Sequence, residues 1–208
     1  METLRERKKQ RTREALLRAA VELFTSQGYE RTTVDEIAEA VDVSQRTFFR
    51  YFAGKEEAAL ALVEMTVARF VAAVRERPPH EAPLEALRQA VVEDWYAIND
   101  VVESVVPVET YLRLYRVIES TPVLLAAHLR RSAEVEETLA RVIGEREGLD
   151  VDADPRPRLV VAVFSGVIRV TERQWTLGDD FSLEGVRALT ALNLDGVGPA
   201  LLGGWRET

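Results

Sequence analysis

The chain has 208 residues, 47% of them hydrophobic and 30% charged, with a formal net charge of −8 and no cysteine. There is enough apolar material for one large or two small buried cores, and the lack of thiols excludes a disulfide scaffold, thiol catalysis and Cys-ligated zinc. The acidic total hides a division. Residues 1–55 hold 11 Lys/Arg against 9 Asp/Glu, a balance of +2, whereas the remaining residues hold 16 against 26, a balance of −10. A basic excess at one end lets an acidic protein bind DNA with that end alone. It is sharpest in Arg5, Arg7, Lys8, Lys9, Arg11 and Arg13, opposed only by Glu2 and Glu6. Such a stretch reads either as a solvated, fraying terminus or as an arm that orders on DNA.

In chain order, a first helix is predicted from Leu4 to Gln27, with Leu16, Ala19, Ala20, Leu23 and Phe24 as its buried stripe. Gly28 stops it as a left-handed residue, and Tyr29 packs back on its end. Thr33 followed by Glu36 is a capping box, and Val34, Ile37, Ala38 and Val41 give the second helix a narrow apolar face. Asp42-Val43 breaks the pattern. Ser44 then caps a third helix through Phe52, in which Phe48 and Phe52 share a face and leave Gln45, Arg46 and Thr47 in an exposed first turn. Two short helices around a tight turn fit either a plain helical hairpin or a helix-turn-helix that offers its second helix to a major groove. The residue types favour the latter: Gln and Arg suit adenine and guanine edges, and a Thr methyl suits thymine. Tyr51 and Lys55 follow where a hydroxyl and an ammonium can hold phosphates.

Lys55 opens a long fourth helix reaching about Arg77, apolar most of the way round, and Pro78-Pro79 to Pro83 forms the clearest linker. A fifth helix runs from Pro83 to about Glu103. A sixth opens at Pro107, and Thr121-Pro122 starts a seventh that reaches Glu147, with Leu125, His128, Leu129, Val135, Leu139, Val142 and Ile143 on its apolar side. Asp154-Pro155 starts an eighth helix to about Leu177. Its stretch from Leu159 to Val170 is too short to span a membrane and reads as a helix covered on both sides, by its own core or by a symmetry mate. Ser182 caps a ninth helix, and a tail with Gly196, Gly198, Gly203 and Gly204 is expected to be poorly ordered. The fold expected is all-α with about nine helices and no strand.

Thr33–Ala38 with Gly28-Tyr29 before it, Val43-Ser44, and Thr47–Phe52 followed by Lys55 resemble the N-terminal domain of TetR-family transcriptional regulators over roughly residues 8–60. The resemblance implies a three-helix DNA-binding domain at residues 1–55 and a helical effector-binding and dimerisation domain at 56–208. By position, Gln45, Arg46 and Thr47 would read bases, and Thr33, Tyr51 and Lys55 would hold phosphates. Phe49 stands where the family often has a DNA-touching tyrosine, and Asp35 where some members use a basic side chain. The implied partners are a palindromic double-stranded operator, a small-molecule effector, and a second copy docked through helices eight and nine. Arg77-Pro78-Pro79, Pro83–Leu87 and the Tyr115 to Pro122 stretch are loosely similar to a subgroup with an acyl-CoA-like ligand domain, which would make the protein a repressor released by a long apolar ligand.

Candidate pocket residues are Trp95, Tyr111, Tyr115, His128 and Arg169, with Tyr96 nearby; aromatic residues at helical spacing equally suit a plain core. His80 and His128 lie far apart and there is no Gly-rich phosphate loop or patterned carboxylate pair, so no metal, cofactor or catalytic residue is expected. With no signal-like stretch and no run of 18 apolar residues, the expected location is the cytoplasm, away from the membrane. The rival class is a helical small-ligand carrier or protein adaptor without specific DNA binding.

Overall fold

The computed structural model describes residues 3–203, which form ten helices and contain no strand. They are α1 (Leu4–Gln27), α2 (Val34–Glu39), α3 (Gln45–Phe49), α4 (Lys55–Glu76), α5 (Pro83–Val102), α6 (Val108–Ser120), α7 (Pro122–Glu147), α8 (Arg156–Leu177), α9 (Leu183–Asp195) and α10 (Val197–Leu202). The all-α expectation holds, with one helix more than expected. The glycine-rich tail is helical over α10 because Pro199 falls in the first turn, where no backbone donor is needed, and Gly203 ends it at φ +100. Gly204 lies outside the described residues.

Side-chain caps set the early boundaries. Thr3 and Glu6 form a capping box: the Thr3 hydroxyl accepts from the Glu6 N–H at 3.2 Å, and a Glu6 oxygen accepts from the Thr3 N–H at 2.7 Å. The basic N-terminal stretch is therefore folded helix from its first turn. The expected Thr33–Glu36 box is present with the same geometry. Gly28 ends α1, but at φ +92 and ψ 149 rather than in the left-handed helical region expected of it. Only a residue without Cβ takes that conformation freely. Asp42 supplies the tight turn at φ +53. Ser44 caps α3 by accepting from the Thr47 N–H at 3.2 Å. α3 is shorter than expected, since the backbone of Arg50 and Tyr51 switches to carbonyls three residues back and tightens the chain after Phe49.

Packing divides the chain into two compact units, Met1–Thr66 with Ile98–Arg130, and Val67–Ala97 with Arg131–Thr208. The first extends beyond the segment ending at Lys55. Its core holds Leu16, Leu17, Ala20, Val21 and Phe24 of α1, Ile37 of α2, and Phe48 with Phe52, whose rings lie 5.5 Å apart. Leu23, expected in the stripe, is only half-buried because Leu17 and Val21 occupy the inner face instead. Arg18 of α1 donates to the carbonyls of Val105 (2.6 Å) and Ser104 (3.3 Å), tying α1 to the loop before α6. On the first turns of α7, Leu124 and Ala127 are buried and Leu129 is exposed, a shift of the expected face.

In the second unit Phe70 stacks on Phe164, Trp175 stacks on Phe181, and Asn193 of α9 donates to Thr171 of α8 at 2.9 Å. Arg146 donates to the carbonyls of Arg77 (2.6 Å) and Pro78 (3.0 Å), satisfying the free carbonyl end of α4. Asp154 accepts from the Arg156 N–H at 2.9 Å, and α8 begins one residue later than expected. Among the described residues α8 is not covered on both sides: Val161 and Phe164 are buried, but Leu159, Val163 and Val170 are exposed, as is Leu192 of α9.

Candidate nucleic-acid interface

The exposed first turn of α3 presents Gln45 and Arg46 to solvent, while Thr47 is half-buried with its hydroxyl 3.0 Å from that of Ser44. Arg46 has no carboxylate partner among the described residues. The platform beneath is rigid, because Phe48 and Phe52 are buried and the Ser44 cap fixes the helix start. These three side chains thus sit together on a held backbone, as base reading requires. Phe49 is 50% exposed and offers an apolar ring edge in place of a hydroxyl.

The three phosphate candidates differ. Tyr51 is half-buried, and its hydroxyl oxygen accepts from an Arg50 nitrogen at 3.2 Å, which leaves its own hydrogen to donate. Thr33 is exposed, but its hydroxyl donates to Glu36 at 2.9 Å. The Thr33 backbone N–H, and after it that hydroxyl bond, hold the Glu36 carboxyl below its usual range. Lys55 turns inward. Its ammonium donates to the carbonyls of Tyr29 (2.8 Å) and Thr32 (3.1 Å), reaches that of Glu30 at 3.5 Å, and lies 4.3 Å from the centre of the Tyr29 ring. An ammonium has three hydrogens, so a phosphate contact would replace one of these bonds. Burial, then Glu56 and Glu30, push the Tyr29 phenol up to about 12.

On one side of α3 a shallow depression is lined by Asp35, Glu39, Asp42 and Gln45. A separate open cleft of about 400 Å³ is lined by Arg5, Lys8, Lys9, Thr12, Arg50 and Tyr51. Sequence reasoning singles out neither Arg50 nor the joining of α1 to the turn after α3. The only signal is the spacing of Arg5, Lys8, Lys9 and Thr12 at i, i+3, i+4 and i+7, one face of a helix.

The pocket candidates are divided between the two units. Tyr111 and Tyr115 are buried in the first, edge to face at 5.3 Å, with hydroxyls 3.3 Å apart; the Thr66 hydroxyl is 3.1 Å from that of Tyr111. His128, in the same unit, is half-buried. In the second unit Trp95 is 8% exposed and its indole N–H has no partner among the described residues. Its neighbour Asp94 is pushed up to about 6 by burial, against the pull of Arg69 at 3.3 Å. Arg169 is exposed and paired with Glu136 at 2.6 Å. The Tyr96 side chain lies outside the described residues. Among the described residues there is no group of His, Asp and Glu side chains suited to a metal ion, and no helix is long and apolar enough to cross a membrane.

Residues 16–62 match the family model described as bacterial regulatory proteins, tetR family, and residues 81–192 match one described as the MftR C-terminal domain. The chain is 47% identical over 204 residues to the HTH-type transcriptional regulator TcmR of Streptomyces glaucescens, covering 98% of this chain and 90% of that one. Its fold is similar to Thermus thermophilus FadR in complex with lauroyl-CoA, with a TM-score of 0.55 and 24% identity over 94% of this chain and 97% of that one. A triclosan complex of SmeT is similar too, with a TM-score of 0.60 and 18% identity over 91% and 90%.

Proposed function

The chain belongs to the TetR family of bacterial transcriptional regulators, and from that premise we propose that it acts as a homodimeric repressor released from a palindromic operator by a small apolar effector. It is a DNA-binding regulator and not an enzyme. The observation that carries the finer reading is the capped, exposed first turn of α3: Gln45, Arg46 and Thr47 read bases, and Tyr51 donates to a phosphate. Thr33 adds a phosphate contact where the strand approaches α2, and Lys55 does so only by giving up a carbonyl. Residues 1–55 are the DNA-binding segment, and 56–208 bind the effector and form the dimer. The operator places the work in the cytoplasm.

One short recognition helix binds weakly, so two are needed, about 34–36 Å apart along the duplex. The exposed apolar face of α8 and α9 supports a second copy as its cover. Ala162, Val163, Gly166, Val170, Leu192 and Val197 line a groove there, and four helices from two copies would bury it as a bundle. For the effector, the buried hydroxyl-bearing aromatics Tyr111 and Tyr115 of the first unit, with half-buried His128, support a mostly apolar ligand with few polar groups. A long-chain acyl-CoA is the class to test first. Trp95 and Arg169 belong to the second unit, where Arg169 becomes available to a ligand only on leaving Glu136. Release requires the ligand to prefer the state that does not fit DNA, by about 1–3 kcal/mol in typical cases.

The test is a gel-shift of the full-length protein on the fragment upstream of its own gene, with excess random DNA, followed by lauroyl-CoA. Competitor-resistant binding that lauroyl-CoA releases supports the whole reading. Resistant binding that lauroyl-CoA leaves intact removes the acyl-CoA effector, and binding abolished by competitor removes the specific repressor.

A further inference from the structure

We propose that the first turns of α1 and the turn after α3 form a clamp for one phosphodiester of the DNA backbone, a discrete seat in place of a diffuse basic arm. The proposal rests on the DNA-binding reading above. Arg5, Lys8 and Lys9 occupy one face of α1 in its first two turns, and no carboxylate pairs with them among the described residues. Like charges at i, i+3 and i+4 weaken a helix, and cations near its N-terminus oppose its dipole. Glu6, the acid beside them, is occupied by the Thr3 N–H (2.7 Å) and hydroxyl (2.8 Å). The free protein thus holds an arrangement that an anion would relieve.

Arg50 and Tyr51 complete the cleft from the other chain segment. The Arg50 guanidinium lies 5.0 Å from the Tyr51 ring centre and donates to its hydroxyl at 3.2 Å, so the two side chains hold one another in place. Thr12 donates to the Lys8 carbonyl at 3.0 Å and forms part of the wall without offering its hydrogen to an anion. A separate depression that Gln45 of α3 also lines is acidic, with Asp35, Glu39 and Asp42 in its wall. The head is therefore polarised, and a DNA strand is drawn to the α1 side. The source of the anion follows from position. Arg50 and Tyr51 stand four residues, one turn, after Arg46 and Thr47, so a phosphate in the cleft belongs to the duplex whose bases α3 reads.

The full-length protein is used to select a duplex from a random-sequence pool. That duplex is then prepared with a single neutral methylphosphonate at each backbone position in turn. Wild type is compared with Lys8→Gln/Lys9→Gln and with Arg50→Gln. At one position per half-site, neutralisation weakens wild type by about tenfold, the scale of a hydrogen bond to a charged group, and leaves Arg50→Gln unchanged. Elsewhere it weakens all three proteins alike. The salt slope of each variant falls by about one for every phosphate it no longer neutralises. Thermal melts of Lys8→Gln/Lys9→Gln match or exceed wild type, because repulsion has been removed. A positional profile identical in wild type and variants overturns the clamp, as does a lowered melting temperature of the lysine variant or tight binding of inorganic phosphate without a positional effect. Failure to enrich any duplex overturns the specific-repressor reading itself and the clamp with it.

Discussion

In the second unit Arg77 faces Glu81 and Glu93, Arg141 and Arg158 share Glu137, and Arg187 faces Glu184. In the first, Arg5, Lys8, Lys9, Arg46 and Arg50 face no carboxylate among the described residues. The pairing shows in the acids: hydrogen bonds from Arg158 hold Glu137 and Asp152 below their usual range, and those from Arg156 hold Asp154 at about 2. Exposed ion pairs contribute only about 0–1 kcal/mol each. Leaving the head's cations unpaired therefore costs little folding stability and keeps them free for an anion outside the protein. Apolar exposure differs in its arrangement: in the second unit Val163, Val170 and Leu192 of α8 and α9 share one groove, whereas the first exposes Leu4, Phe49, Val123 and Leu129 on three different helices. On the reading proposed above, one unit keeps its free charge for DNA and the other its free apolar surface for a second copy.

Val163→Glu would break the apolar side of that contrast and has the largest expected effect. It places a charge in the α8–α9 groove; sedimentation should show a monomer, and affinity for a two-half-site duplex should fall by about 100-fold or more once the two heads are no longer linked. A dimer that survives would move the interface elsewhere. Lys55→Met sharpens the charge side. Because Lys55 serves three internal carbonyls, its loss should lower stability by about 1.5–3 kcal/mol, the range for hydrogen bonds to a charged group. Denaturant unfolding checks this. Undiminished stability with a flatter salt slope would return Lys55 to the phosphate backbone.

Asp94→Asn has the smallest expected effect. Asp94 has its folded pKa raised to about 6 by burial, above its ordinary value near 4. The neutral form is favoured, so its stabilisation is complete below about pH 4 and is lost as pH rises through 6. The asparagine variant should melt higher than wild type at pH 8 and level with it near pH 4. A constant difference across that range would mean that Asp94 is stabilised as a carboxylate by Arg69.

The head is readable from sequence because its signals are local. Thr33 with Glu36 and Ser44 before α3 are caps that act within three residues, and Phe48 with Phe52 is a one-turn repeat. What sequence does not disclose depends on groups distant along the chain or on choices between equivalent rotations. Lys55 meets carbonyls 23 to 26 residues earlier, and no spacing rule distinguishes that inward course from an outward one. Leu129 and Leu125 fit the stripe of α7 as well as Leu124 and Ala127 do; packing chose the latter. The apolar run of α8 is legible as something to be covered, but composition does not say whether the cover is the chain's own core or another copy. The Arg5–Lys9 face is visible as charge, yet only folding brings Arg50 and Tyr51 to it.

The most direct measurement is a binding scan in which every base pair of a selected operator is changed singly, for wild type and for Arg46→Ala. If α3 reads bases, the variant loses its preference at one position of each half-site, by about 1–3 kcal/mol, and keeps its preferences elsewhere. An equal loss on every sequence would reduce Arg46 to a backbone contact and leave α3 without its reading role.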